Sequence, residues 1–346
     1  MNDKETNPRG GSTVPWPAQR TFAALADGEL HSGESLAAAA GVTRSAVWKS
    51  IKALRELGLQ IEAGTHRGYR LVHRCEALEA AAIRRAIAPA WQAALRGLEV
   101  EWTLPSSNAA LLARPPPPPG SCDALFVEHQ TAGRGRRGRS WLAPLGGSLA
   151  VSLATSFDPL PRDPAALSLV IGVCTLRALS RSGARGLQLK WPNDLGNADG
   201  KVGGILIELR AEAGGPAQVV IGVGLNLRLD ATARAAVAAT GTAAADLASN
   251  GVDPAARNAI AGALLEEYLR GIAGFVEQGF APFAAEWAAA DALRDRPVRV
   301  SGAIGEVVGI ARGIDATGAL RLECADGQVV SIVSGEVSVR PVESST

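Results

Sequence analysis

The stretch Gly133-Arg134-Gly135-Arg136-Arg137-Gly138-Arg139-Ser140-Trp141 sets four arginines and three glycines within seven residues, with an indole just beyond. Glycine at that density excludes a helix or a regular inner strand, because it admits positive φ and lets a backbone approach a ligand closely. Four guanidinium groups repel one another unless an anion lies among them, and the backbone N–H groups of such turns add to an anion nest. Two readings follow from the loop alone: a flap that orders over a phosphate or carboxylate, or a solvated arginine–glycine linker. The segment also matches G-x-G-x-x-G literally. Pro144, Gly146 and Gly147 interrupt the chain after it, however, and Leu149 to Leu153 reads as a strand. The helix N-terminus that a dinucleotide fingerprint requires is therefore missing, and without Gly-Lys-Ser/Thr the loop is no Walker P-loop either.

The chain has 346 residues, 47% of them hydrophobic, enough for two to three domains with packed cores. A net charge of +1 makes any basic surface local. Four cysteines scattered singly and only four histidines fit a reducing compartment, and no metal site is expected. Residues 1–19 are polar and Pro/Gly-rich, a disordered lead-in and not a signal peptide. No segment is expected to span a bilayer, so the reading is a soluble, cytoplasmic protein with no membrane partner. Of 35 basic residues only five are lysine (Lys4, Lys49, Lys52, Lys190 and Lys201), which raises the question of what a lysine does where arginine is the rule.

Residues 20–74 read as a winged helix. A short amphipathic helix over 20–26 turns Phe22 and Leu25 inward. Ser32 caps a second helix over 33–40, and Gly41 breaks it. Thr43 caps a third helix ending at Leu57. In that third helix Val47, Ile51 and Leu54 recur at helical spacing, which leaves Arg44, Ser45, Trp48, Lys49 and Lys52 on the other faces. A β-hairpin follows over 60–71, with His66 and Arg67 at its tip. Such a module places its third helix in the major groove and its wing on phosphate, which makes Thr43, Arg44, Ser45, Trp48, Lys49, Lys52 and Arg67 the candidate DNA contacts. The alternative is a small three-helix packing or dimerisation module.

Residues 75–295 read as an α+β domain. A helix is expected over 78–95, a strand over 98–104, and a helix over 109–113 opened by Ser106 or Ser107. Strands at 124–128 and 148–156 flank the arginine loop, and a helix at 164–182 carries Leu167, Val170, Ile171 and Cys174 on one face. A strand at 186–190 ends on Lys190, where open sheets place ligand chemistry, and Pro192-Asn193-Asp194 turns the chain. Lys201 opens a glycine-containing strand to Leu209, which pairs with 219–227 as a hairpin. Helices at 254–274 and 280–291 close the domain, all helices being expected on one sheet face. Residues 296–341, with short strands between glycine-rich turns, suit an SH3-like β-barrel that either closes a nucleotide site or only stabilises.

The runs Gln130–Trp141, Lys190-Trp-Pro-Asn-Asp194, Lys201-Val-Gly-Gly-Ile205 and Ile221-Gly-Val-Gly-Leu-Asn226, in order behind a winged helix, closely resemble biotin–protein ligases, in the subclass that doubles as biotin-operon repressor. The resemblance runs from about residue 20 to residue 340. It implies that Ser106, Ser107, Asn108, Gln130 and Gly204 lie against biotin. Gly133, Arg134, Gly135 and Arg136 would hold its carboxylate and then the adenylate phosphate. Trp141 would pack beside adenine, Asn226 would sit by the nucleotide, and Lys190 would touch both carboxylate and α-phosphate. Pro105 and Ser107 stand where the family often has Asp and Thr, and Ser107 keeps the hydroxyl. The implied chemistry is attack of biotin's carboxylate on the α-phosphate of ATP, releasing pyrophosphate, then attack on the mixed anhydride by a lysine of a biotin carboxyl carrier protein of acetyl-CoA carboxylase.

Both nucleophiles in that chemistry belong to substrates. The protein must supply positive charge and exclude water, the implied catalytic residues being Lys190, Arg136 and Arg134. A compact ammonium can bridge two small anions where a planar guanidinium would not fit, which answers the question Lys190 poses. Mg²⁺ is expected to accompany ATP, and an adenylate-bound homodimer to bind operator DNA. Two alternatives stay open: a ligase whose winged helix does not bind DNA, and a DNA-binding regulator that senses a ligand without catalysis.

Overall fold

A computed structural model of the chain describes residues 16–64, 68–211, 216–239, 241–302, 305–334 and 338–341. The wing tip, with His66 and Arg67, lies outside the described residues, as does most of the expected lead-in. Residues 16–19, expected in that lead-in, are instead the first turn of α1 (Trp16–Leu25).

Caps set the next two helices. Ser32 Oγ accepts from Ser35 N ahead of α2 (Gly33–Ala40), and Gly41 ends it at φ 67°. Thr43 Oγ1 accepts from Ala46 N ahead of α3 (Arg44–Glu56). The pair β1 (Ile61–Gly64) and β2 (Gly68–Leu71) forms the antiparallel wing. Phe22, Leu25, Leu36, Val47, Ile51 and Leu54 make this module's core, which reaches the rest of the molecule through Cys75 and Leu145. Phe22 also meets Trp102 edge-on at 5.4 Å, a geometry worth about 0.5–1.5 kcal/mol beyond area burial.

The expected helix over 78–95 is two short ones, α4 (Ala80–Arg85) and α5 (Pro89–Gln92). Pro89 cannot continue a helix from upstream but fits a first turn, so the chain restarts there. Next come β3 (Leu95–Leu104), α6 (Ser107–Leu112), β4 (Cys122–Gln130), β5 (Ser148–Phe157), α7 (Leu167–Arg181), β6 (Gln188–Lys190), β7 (Asp194–Asn197), β8 (Gly200–Arg210) and β9 (Ala217–Asn226). The strands form one mixed sheet ordered β3-β4-β5-β9-β8-β7-β6, parallel only at β3–β4, where α6 makes the crossover.

The helices α8 (Ala231–Ala238), α9 (Arg257–Gln278) and α10 (Ala284–Ala289) follow. Helices α7 and α9 cover one face, packing on Leu149, Val151, Leu153, Ile221 and Val223. The other face is not bare as expected: α6 lies there, with Leu111 against Leu125, Val127, Ala154 and Val220. Strand β5 is therefore buried along its whole length. The segment Pro164–Arg181 does reach the length and apolarity of a membrane span, against expectation, but 61% of it is buried in this core.

The C-terminal strands β10 (Pro297–Gly302), β11 (Gly305–Ile314), β12 (Leu320–Glu323), β13 (Val329–Ile332) and β14 (Ser338–Pro341) form an antiparallel sheet ordered β13-β12-β11-β10-β14, in keeping with a small SH3-like barrel. Its inner residues Val298, Val300, Leu320, Leu322 and Val339 are continuous with the α7/α9 core. The fully buried Trp191 donates from Nε1 to Gly318 O at 3.0 Å.

Candidate active site

The cavity of interest lies on the α6 side of the sheet, where β5, β8 and β9 present small residues. Along β9, Val219, Ile221 and Val223 point to the large core, so Gly222 and Gly224 point the other way. A methyl group on Gly222 would fall 2.3 Å from Asn108 Oδ1, and one on Gly224 would fall 2.4 Å from Trp141 Cε2. The glycines are what let these two side chains lie against the strand.

The first part of the site is a closed polar network. Ser106 caps α6, its Oγ accepting from Ala109 N at 3.4 Å, so that Ser107 and Asn108 start the helix over the sheet. Ser107 donates from N (2.8 Å) and Oγ (3.2 Å) to Gln130 Oε1 at the end of β4. Ser152 Oγ donates to Ser107 Oγ at 2.7 Å and contacts Asn108 Oδ1, while Asn108 Nδ2 donates to Glu208 Oε2 at 2.9 Å. Five side chains from four elements thus hold one another in fixed rotamers beside the cavity.

The arginine loop closes on itself. Gly135 N donates to Arg139 O at 2.7 Å and Trp141 N to Gly133 O at 2.8 Å. Between them is a tight 3-10 turn in which Arg137, a non-glycine residue, sits at φ 58°. Arg134 pairs with Glu208 at 2.8 Å, and Arg136 Nη1 donates to Asn193 Oδ1 at 3.2 Å. The indole of Trp141 lies against Gly224 of β9 with Lys201 Nζ 5.8 Å from its centre, and Lys201 pairs with Asp194 at 2.6 Å. Asn226 donates to Lys201 O and Ala245 O. Asn226 Oδ1 and Trp141 Nε1 are buried and make no hydrogen bond among the described residues. Orphaned polar atoms facing a cavity are groups a ligand can satisfy.

The structure brings Ser106, Ser107, Asn108, Gln130, Arg134, Gly135, Arg136, Trp141, Gly204 and Asn226 to the lining of one cavity of about 90 Å³. Gly133 is buried and is not part of that lining, bordering instead an adjoining pocket around the loop. Lys190 is not part of that lining. It is half-buried at the end of β6, opposite Asp194. Burial holds its ammonium below the ordinary lysine value, Asp194 opposes that shift, and Lys201, Arg340 and Arg139 add to it. Two of those cations, Lys201 and Arg139, do line the cavity, so Lys190 belongs to a cationic cluster at its edge. Sequence reasoning assigned no site role to Ser152, Asn193, Lys201 or Glu208. Asn193 and Lys201 stood inside quoted motifs, whereas Ser152 and Glu208 are ordinary strand residues that only the sheet register brings here.

On the winged helix, Thr43, Arg44, Ser45, Trp48, Lys49 and Lys52 are all exposed, Trp48 to 59%. The hydroxyl of Thr43 is engaged as the helix cap.

A family model described as the Biotin/lipoate A/B protein ligase family matches residues 115–226. One for the Biotin protein ligase C terminal domain matches residues 295–340, and one for an HTH domain matches residues 23–70. The bifunctional ligase/repressor BirA of Escherichia coli is 36% identical over 332 residues, covering 96% of this chain and 99% of that protein. The biotin–[acetyl-CoA-carboxylase] ligase of Mycobacterium tuberculosis is 36% identical over 248 residues, 70% of this chain and 88% of that one. Among solved structures, the biotin protein ligase from Aquifex aeolicus in complex with biotin and ATP superposes with a TM-score of 0.60 at 25% identity, covering 72% of this chain and all of that one.

Proposed function

The chain belongs to the biotin–protein ligase family, in its bifunctional ligase/repressor branch, and from that premise we propose how its residues divide the work. It is an ATP-dependent biotin–[acetyl-CoA-carboxylase] ligase with a helix-turn-helix repressor module. The observation that carries the site assignment is the pairing of a rigid hydrogen-bonded network with an arginine-rich flap across one cavity.

In this proposal the Ser107–Asn108–Gln130 network receives the uncharged ring end of biotin, since its donors and acceptors are already fixed in place. The biotin carboxylate then points toward Arg134 and Arg136. Trp141 and Asn226 take the adenine side, with the orphaned Asn226 Oδ1 as an acceptor for the exocyclic amine. The cluster of Lys190, Lys201 and Arg139 offsets the charge that builds as carboxylate meets α-phosphate and pyrophosphate leaves. Closure of the flap keeps water from the mixed anhydride until the carrier protein's lysine attacks.

Among the described residues no group of three His, Cys, Asp or Glu side chains could hold a metal ion, so Mg²⁺ is assigned to the nucleotide's own phosphates. From Ile207 to Arg210, β8 is paired only with β9 among the described residues. That open edge supports pairing with a second copy when adenylate is bound. The cytoplasm is the compartment where ATP and the carrier protein meet, and it is assigned on that ground.

The test is incubation with ATP, radiolabelled biotin and a carboxyl-carrier domain. Stoichiometric label on one acceptor lysine is expected, and loss of transfer on changing Arg136 to Ala. Transfer at the wild-type rate in that variant would overturn the site assignment.

A further inference from the structure

A second cavity, of about 480 Å³, opens where the winged helix meets the central domain. Leu59 and Gln60, at the entry to β1, form one wall. The other is the loop from Leu142 to Gly147, with Arg228 and the first turns of α8. Asp230 bridges the two sides, accepting from Gln60 Nε2 at 3.0 Å.

Arg228 is the group that lacks an explanation. Its backbone N donates to Gly147 O at 3.0 Å, which fixes where the side chain starts. Its Nε is buried and makes no hydrogen bond, and its guanidinium has no carboxylate partner among the described residues. The two acids that line the crevice are committed elsewhere. Asp230 caps α8 through Ala233 N at 2.7 Å and holds Gln60, while Glu56 faces Lys52 at 3.9 Å. His129 Nδ1, on the same lining, is likewise buried without a partner among the described residues. Leu59, Leu142 and Leu145 supply apolar walls. A guanidinium with a partnerless Nε and a ring nitrogen without a partner, both on the lining of a largely apolar crevice between domains, match the chemistry of a small-molecule site.

We propose that this interdomain crevice binds a small amphipathic carboxylate, its head on Arg228 and His129 and its apolar body along Leu59, Leu142 and Leu145. The ligand would act on both neighbours. Gln130 and Leu142 line this crevice and the catalytic cavity alike, and α8 turns Ala233 and Ala236 to the crevice but Val237 to the cavity. An occupant therefore presses on the wall behind biotin from one side and on the winged helix from the other.

The probe is octanoate, titrated by calorimetry into the full chain already saturated with biotin, with 1-octanol as the uncharged control. Saturable octanoate binding is expected, at least tenfold weaker in Arg228→Gln and partly restored in Arg228→Lys. All forms should transfer biotin at the wild-type rate without octanoate. In the unaltered chain, the His129 imidazole resonances are expected to shift on octanoate addition, which needs no variant. Absence of saturable binding, equal affinity in Arg228→Gln, octanol binding as tightly, or a silent His129 would each overturn the site.

Discussion

The indole of Trp141 occupies the space that a side chain on Gly224 would need, a methyl there falling 2.4 Å from Cε2. The loop residue and the strand residue are thus mutually required. Gly224→Ala is expected to push the indole out and slow adenylate formation by about 10²-fold, the scale of a 1 Å misplacement. Pyrophosphate exchange measures this, and an unchanged melting temperature would show that the sheet is intact.

Lys190→Ala is expected to lower pyrophosphate exchange by ~10²–10³ while the protein stays folded. Lys201→Ala tests the neighbouring ammonium that does line the cavity. If only the Lys201 variant is impaired, the work assigned to Lys190 passes to Lys201.

The same lysine sets a pH dependence. Its folded pKa lies below 10.5 through burial, so its charged form is lost at lower pH than in an exposed lysine. Anionic substrates favour the charged form, so their affinity is full below the folded pKa and falls as pH rises through it. An alkaline limb in the exchange rate, below the ordinary lysine range and absent from the residual rate of Lys190→Ala, is the expected profile.

Arg257 and Glu128 form an ion pair at 2.6 Å with both side chains out of contact with solvent. Arg257 also donates to Glu76 O and Ser148 O, and Glu128 accepts from Leu78 N, so the pair fastens the linker behind the winged helix to β4. Arg257→Leu is expected to cost roughly 3–5 kcal/mol in chemical denaturation. Adding Glu128→Leu should not restore stability, because the backbone groups stay unsatisfied. Full recovery in the double variant would show that only the charges mattered.

On the winged helix, Arg44→Ala and Lys49→Ala should each weaken operator binding and reduce the salt slope by about 1 if they contact phosphate. Biotin transfer should be unchanged in both, as neither residue lines the proposed catalytic cavity.

Local chemistry made much of this molecule legible in its sequence. The caps at Ser32 and Thr43, the break at Gly41 and the periodicity of Val47, Ile51 and Leu54 act over a few residues, and the helices form where those signals stand. The arginine–glycine loop likewise had to be irregular, whatever surrounded it. Pro89 was an equally local signal for ending one helix and starting another, and the expectation of a single helix over 78–95 passed over it.

Pairings between distant segments were another matter. Ser152 and Glu208 have unremarkable neighbours, and only the register of β5 on β9 and of β8 on β9 carries them to Asn108. That Lys201 lines the cavity while Lys190 stands at its edge depends on the tight turn between β6 and β7 and on the pairing of β7 with β8. The sequence by itself determined which segments are helix, strand or flap, because those preferences are local. Tertiary structure decided which side chains share a cavity, because a sheet's register is set by long-range pairing and burial, and one residue of slip would turn every such side chain to the opposite face.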